Sequence, residues 1–93
     1  PAVTRDIAII VDEEVHAADI RDTIVENGGE ILESAELFDV YRGVPVPPSF
    51  KSLAFSLTYR SPDRTLTDGE VNEINTRVLK ALNDNYDAVL REL

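Results

Sequence analysis

An alternation of large apolar and small side chains runs through the middle of the chain. The large ones occupy every second position: Leu53, Phe55, Leu57 and Tyr59. The small ones lie between them: Ser52, Ala54, Ser56 and Thr58. Because successive side chains of a β-strand point to opposite faces, this period of two predicts a strand that is buried on one face only.

Two further extended segments precede this strand. Residues 5–11 (RDIAIIV) are short and β-branched and end at an acidic turn, which predicts a first strand. Residues 30–41 form the second, and its latter half alternates. Phe38 and Val40 are expected to point to one face, and Leu37, Asp39 and Tyr41 to the other.

Two segments have the spacing of amphipathic helices. The first carries apolar side chains at Ala17, Ile20, Ile24 and Val25, and Asn27-Gly28-Gly29 is expected to end it. The second opens with a predicted capping box, in which the side chains and amides of Thr67 and Glu70 bond reciprocally. Its apolar stripe is Val71, Ile74, Val78 and Leu82, and Asn83-Asp84-Asn85 is expected to end it.

The remaining segments complete the order of elements. The connection 43–49 contains three prolines, which cannot donate to a sheet ladder, so it cannot be a central strand. Residues 88–93 are expected to form a last short strand, although a helix continuing through Leu82, Tyr86, Val89 and Leu93 fits the spacing too. The order β-α-β-β-α-β predicts an α+β, ferredoxin-like fold, with two helices on one face of a four-stranded antiparallel sheet. The first and third strands should be central and the second an edge.

Length and termini set the domain organisation. The 93 residues suffice for one domain, and we expect it to span residues 1–93. No apolar run approaches the roughly 18 residues that a membrane span needs. The chain opens at Pro1 without Met, so we expect a fragment of a longer chain.

The charge restricts the partners. A net charge of −9 argues against a general binder of polyanions, because phosphate contacts need Lys and Arg. The distribution is uneven: residues 1–37 carry −8, residues 65–93 carry −3, and residues 38–64 carry +2. We interpret the acidic flanks as solvated surface, and the middle segment as the place where nucleic acid would be met.

Catalysis is not indicated. The chain has no Cys and a single His, so it offers neither thiolate nor histidine-based metal sites, and it fits a reducing cytosol. It has no Ser/His/acid set and no glycine-rich phosphate loop. The run Asp12-Glu13-Glu14 lacks calcium-loop spacing and is interpreted as a solvated turn.

The sheet face opposite the helices is the candidate binding surface. We expect it to carry Asp6, Ala8 and Ile10, then Leu37, Asp39 and Tyr41, and then Ser52, Ala54 and Ser56. Tyr41 could stack on an unpaired base, and the Asp39 carboxylate could accept from a base amino group. Arg5, Arg42 and Lys51 lie near the strand ends, where phosphates could be met.

The same pattern is also compatible with a domain that does not bind RNA. An exposed Tyr on an edge strand is an ordinary β-former, and an Asp there can serve only to keep the edge soluble. A freestanding ferredoxin-like module for protein interaction or ligand sensing would have the same topology, because fold does not choose function.

Several separated motifs carry a family resemblance. They are VTRDIA at 3–8, LFDVY at 37–41, KSLAF at 51–55, YRSPDRTLTD at 59–68 and EVN at 70–72. Together, in this order and over nearly the whole chain, they resemble the ferredoxin-fold anticodon-binding domain that ends the β subunit of bacterial phenylalanyl-tRNA synthetase.

The resemblance implies a role and a site. The domain would bind the anticodon stem-loop of the phenylalanine tRNA, with no catalytic residues of its own. Tyr41 is similar to the aromatic that stacks on an anticodon base, Asp39 to its polar neighbour, and Ala8 and Ser52 match the platform beside them. ATP and magnesium would belong to the parent ligase. The partners would be the rest of the β subunit and the α subunit, in the cytoplasm, with no DNA and no membrane.

Overall fold

The computed structural model describes residues 1–92. Its elements are β1 (Val3–Asp12), α1 (Ala17–Gly28), β2 (Leu32–Tyr41), β3 (Phe50–Tyr59), α2 (Asp68–Tyr86) and β4 (Val89–Leu90). The strands form one antiparallel sheet in the order β2-β3-β1-β4. The predicted ferredoxin-like α+β fold is therefore confirmed, with β1 and β3 central and β2 at an edge.

The alternation in β3 produces the two faces of the sheet. β1 and β3 pair without interruption from Val3↔Tyr59 to Asp12↔Phe50. The large side chains of both strands point to one face, where they form the core with α1 and α2. The most buried members of this core are Ile9, Val11, Ile20, Ile24, Leu53, Phe55, Leu57, Tyr59, Val71, Val78 and Leu82. The opposite face therefore presents the small residues.

The two helices end differently from each other. At α1 Gly29 follows the last helical residue with a positive φ of 71°, a backbone conformation that glycine adopts without steric cost. At α2 the predicted capping box of Thr67 and Glu70 is confirmed. The predicted end at Asn83-Asp84-Asn85 is wrong, because α2 continues to Tyr86 and is closed by the left-handed Asp87.

Local contacts explain why α2 continues. Asn85 donates to the Ala81 carbonyl, and Lys80 and Asp84 form an i,i+4 ion pair with 2.7 Å between Nζ and Oδ2. Leu82 is fully buried and Tyr86 packs against the core. The helix penalty of Asn and Asp is at most about 0.7 kcal/mol per residue, so the packing of Leu82 and Tyr86 outweighs it.

The last strand is shorter than its pattern predicts. Only Val89 and Leu90 form it, opposite Ile10 and Ile9, and the Arg91 amide adds a hydrogen bond to the Ala8 carbonyl (2.7 Å). The alternative helix stops at Tyr86. The predicted end of the strand, residue 93, lies outside the described residues.

A β-bulge corrects one face assignment. The register of β2 against β3 shifts between Leu37 and Asp39, so Phe38 is the extra residue. Leu37 therefore lies opposite Phe55, on the helix side, and the expectation that it shares a face with Asp39 and Tyr41 is wrong. A period of two cannot reveal an inserted residue, and the residues before and after the insertion no longer share one alternation.

The end of α1 supplies a stability test. A Cβ built on Gly28 would lie 2.7 Å from Leu32 Cβ, whereas a Cβ on Gly69 would meet only Thr67 Oγ1, at 3.9 Å. We expect Gly28→Ala to lower the free energy of unfolding by about 1–3 kcal/mol through overpacking. The control Gly69→Ala should leave it unchanged or raise it by up to about 1 kcal/mol. Urea denaturation measures both, and a Gly28→Ala variant as stable as the wild type would contradict the close packing of Leu32.

Candidate nucleic-acid interface

The register assembles four of the predicted site residues on the open face, the sheet face opposite the helices. Tyr41 lies opposite Ser52, and Asp39 lies opposite Ala54. On the other side of β3, Ala8 lies opposite Ala54. Residues directly opposite in an antiparallel pair share a face, so Tyr41, Asp39, Ala8 and Ser52 belong to one surface.

Arg91 joins this surface and was missed by sequence reasoning. Its guanidinium carbon lies 4.8 Å from the centroid of the Tyr41 ring, at the distance of a cation–π contact. The signal was available, because continuing the alternation of β4 from Val89, which faces Ile10, places Arg91 on the open face beside Ala8. The spacing of residues 88–93 fits a helix as well as a strand, so the sequence alone did not assign Arg91 to a sheet face.

The Tyr41 and Arg91 side chains meet above a floor of small residues. Arg91 is anchored beside Ala8 and Tyr41 opposite Ser52, so their contact lies over the two central strands. Ala8 and Ser52 are 1% and 2% exposed although no helix covers them. A ligand approaching this surface therefore meets the tyrosine and the guanidinium before the floor.

The Tyr41 ring is held in place and remains accessible. Its hydroxyl donates to the Val44 carbonyl (2.8 Å), and Gly43 (φ 112°) lies next to the hydroxyl. The tyrosine keeps 37% of its surface exposed. A fixed, part-exposed ring beside a guanidinium plane is a surface on which a flat heterocycle can stack.

Arg42 and Lys51 are both engaged by Glu13. Arg42 binds the Glu13 carboxylate through Nε and Nη2, the latter 2.8 Å from Oε2, and Lys51 Nζ lies 3.5 Å from Oε2. The hydrogen bond from Arg42 is the main reason that the pKa of Glu13 falls from 4.5 to about 2. Lys51 is opposite the core residue Val11, so it points to the helix side, and its side chain is only 12% exposed.

Arg5 also lies away from the open face. It is opposite the buried Leu57, and its Nη2 donates to Asn72 of α2 (3.2 Å) and lies 3.8 Å from an Asp68 oxygen. The structure therefore places the side chains of Arg5 and Lys51 on the helix side of the sheet, opposite to the face that carries Tyr41.

The positive segment predicted at residues 38–64 is not a free positive surface. All four basic residues of this segment form ion pairs with glutamates: Arg42 and Lys51 with Glu13, Arg60 with Glu33, and Arg64 with Glu70. Each of these glutamates comes from one of the acidic flanks. The fold thus brings the acidic residues of the flanks into contact with the basic residues of the middle segment.

The open face itself is acidic. The register places four carboxylates on it, from Asp6, Asp12, Glu36 and Asp39. Carboxylates repel phosphates but accept hydrogen bonds from amino groups. This face is suited to contact bases and unsuited to follow a phosphate backbone.

Other surface features do not coincide with these residues. Two clefts of about 380 Å³ flank α2, one beside the end of α1 and one beside β4, and neither contains a predicted site residue. Within residues 1–92 no three His, Cys, Asp or Glu side chains are grouped to hold a metal ion. None of the helices in that range combines the length and apolar character needed to cross a membrane.

Comparison with known proteins identifies the family. The sequence model of the family described as the ferredoxin-fold anticodon binding domain matches residues 1–91 of this chain. The chain is 50% identical over 91 residues to the phenylalanine–tRNA ligase β subunit of Clostridium tetani, and 51% identical over 92 residues to that of Moorella thermoacetica. The Bacillus subtilis β subunit is 47% identical over 91 residues. These matches cover 98%, 99% and 98% of the chain and 12%, 12% and 11% of the respective subunits. The chain belongs to the ferredoxin-fold anticodon-binding domain family.

Proposed function

We propose that this chain binds the anticodon stem-loop of the phenylalanine tRNA through its open face. The observation that carries the proposal is the pairing of Tyr41 and Arg91, held over small residues on the face that the helices leave free. The family match and the similarity to phenylalanine–tRNA ligase β subunits support the choice of RNA.

The open face favours recognition of unpaired bases. Bases in RNA loops are unstacked, and proteins recognise them by stacking on aromatic rings or guanidinium planes. A base can stack on the Tyr41–Arg91 pair while the Asp39 carboxylate, one row along the sheet, accepts from its amino group. Ala8, Ser52 and Ala54 form the floor that holds these side chains in position.

Phosphate contacts play a small part in this proposal. Arg42 is the basic residue next to Tyr41, and its guanidinium is already bound by the Glu13 carboxylate. Arg5 and Lys51 point to the helix side. A domain that makes few phosphate contacts binds with a shallow dependence on salt.

The wider role follows from the relatives. The chain spans about an eighth of the length of the curated subunits that it matches, which cover far more than this domain. We propose that it forms one domain of a phenylalanine–tRNA ligase β subunit that acts in the cytoplasm with an α subunit. ATP and magnesium would be bound by other parts of that enzyme, and this domain would supply tRNA affinity without catalysing a step.

The stacking role predicts the effect of Tyr41 substitutions. We expect Tyr41→Ala to weaken binding of the phenylalanine anticodon stem-loop by about 1–3 kcal/mol, the range found for base–aromatic stacking. Tyr41→Phe keeps the ring and loses the hydroxyl bond to Val44, so its affinity should lie between those of Tyr41→Ala and the wild type. Val25→Ala on α1 is the matched control, because Val25 is also exposed (46%) but belongs to the helix layer. NMR titration of the chain at low salt measures even weak binding.

Three results would separate the possibilities. Equal affinity of wild type and a folded Tyr41→Ala variant would remove Tyr41 from the site. Weaker binding by Val25→Ala would place the contact on the helices. Absence of wild-type binding at low salt would favour the interaction or ligand-sensing module.

The Glu13 ion pair generates a second prediction. With a pKa of about 2, Glu13 stays ionised between pH 8 and pH 5, so changing pH in this range cannot release Arg42. Its lowered pKa also means that the pair stabilises the fold above about pH 4.5 and loses that effect as the pH falls through about 2. Glu13→Gln should release Arg42, tighten stem-loop binding and steepen the salt slope by about 0.7, the value for one added contact to a single strand.

Arg42 provides the control for this effect. Adding Arg42→Ala to Glu13→Gln should return the salt slope to the wild-type value. If Glu13→Gln leaves both affinity and slope unchanged in the folded protein, Arg42 does not reach a phosphate in the complex.

A further inference from the structure

Phe50 is an exposed aromatic residue on the open face. It is the first residue of β3 and lies opposite Asp12 of β1, two positions before Ser52 on the same strand. Since alternate residues of a strand share a face, Phe50 points to the same side as Ser52 and Tyr41. It keeps 40% of its surface exposed and is not part of the core cluster.

Phe50 is a diagonal neighbour of Tyr41 across the sheet. Tyr41 lies directly opposite Ser52, and Phe50 is two residues from Ser52. Diagonal neighbours in an antiparallel pair are about 7–8 Å apart, within reach of two aromatic rings or of groups stacked on them. In other four-stranded sheets that bind RNA, aromatics on neighbouring strands stack two or three bases.

The backbone holds Phe50 in a defined position. Its amide donates to the Pro47 carbonyl (3.2 Å), and the Ser49 carbonyl accepts from the Glu13 amide (2.9 Å). The peptide group between Ser49 and Phe50 is therefore bonded through both its C=O and its N–H, so the backbone at Phe50 needs no ordering when a ligand binds.

The chemistry of the surroundings favours a base over a phosphate at Phe50. Asp12 is the residue opposite Phe50 on β1, and its carboxylate accepts from the Glu14 amide (2.9 Å), so a negative charge is held on the neighbouring strand. A phosphate would be repelled there, whereas a neutral heterocycle can stack on the ring.

We propose that Phe50 is a second stacking residue, which receives the loop nucleotide adjacent to the one stacked on Tyr41. The inference rests on the proposed function and adds a specific contact to it. Two rings on adjacent strands would hold two successive unpaired bases, so the site reads a dinucleotide step of the loop.

The test uses variants that separate stacking from apolar contact. We expect Phe50→Ala and Phe50→Leu to weaken binding of the phenylalanine anticodon stem-loop about 5- to 150-fold, the range for one lost base–aromatic stack. Phe50→Tyr keeps the ring and should bind within about twofold of the wild type. Phe50 lies outside the core cluster, so its variants should fold, and an amide NMR spectrum checks this. Val25→Ala is again the control on the helix side.

Abasic substitutions locate the contact in the RNA. Each loop nucleotide is replaced in turn, and the effects of Phe50→Ala and Tyr41→Ala should each vanish at one position, the two positions being adjacent. If Phe50→Ala binds as the wild type does while Tyr41→Ala is weakened, the second stack is wrong and the proposed function stands. If Phe50→Leu binds as the wild type does, the contact is apolar and the stack is again wrong. If the wild type binds no stem-loop at low salt, the proposed function fails and the inference fails with it.

Discussion

The pairing of β3 with strands on both of its sides is the constraint on which the rest of the structure depends. Its large side chains join those of β1 in one core with the two helices. The other face then carries the alternate residues of the same strands, most of which are small in β3. That face is where Tyr41 and Arg91 meet over Ala8 and Ser52. The core and the candidate site are thus two consequences of a single pattern.

The fold pairs charged residues that lie far apart in the sequence. Acidic segments at both ends of the chain supply the glutamates that form ion pairs with the Lys and Arg side chains of the middle segment. The open face keeps its own carboxylates and, within residues 1–92, has Arg91 as its basic member. A surface of this kind is suited to stacking on unpaired bases and to hydrogen bonds with base edges, and it is unsuited to phosphate contacts.

The sequence predicts the fold well and the site in part. Periodicity and caps predict all six elements, because each depends on local spacing and local hydrogen bonds. The bulge at Phe38 escapes prediction, since one inserted residue leaves no periodic trace, and it moves Leu37 to the helix side. The engagement of Arg42 and Lys51 by Glu13 joins residues 29 and 38 positions apart, which no local pattern can show. Periodicity does not identify Arg91 and Phe50 as site residues, because Phe50 is the first residue of β3 and Arg91 follows the last residue of β4. The pattern is weakest at such strand ends.

We propose that RNA binds to the open face, and the decisive measurement is the change in amide chemical shifts during titration with the phenylalanine anticodon stem-loop. The largest changes should fall on alternate residues of the sheet around Tyr41, Asp39, Ser52 and Ala8, with α1 and α2 little affected. Changes confined to the helices, or none at low salt, would contradict it.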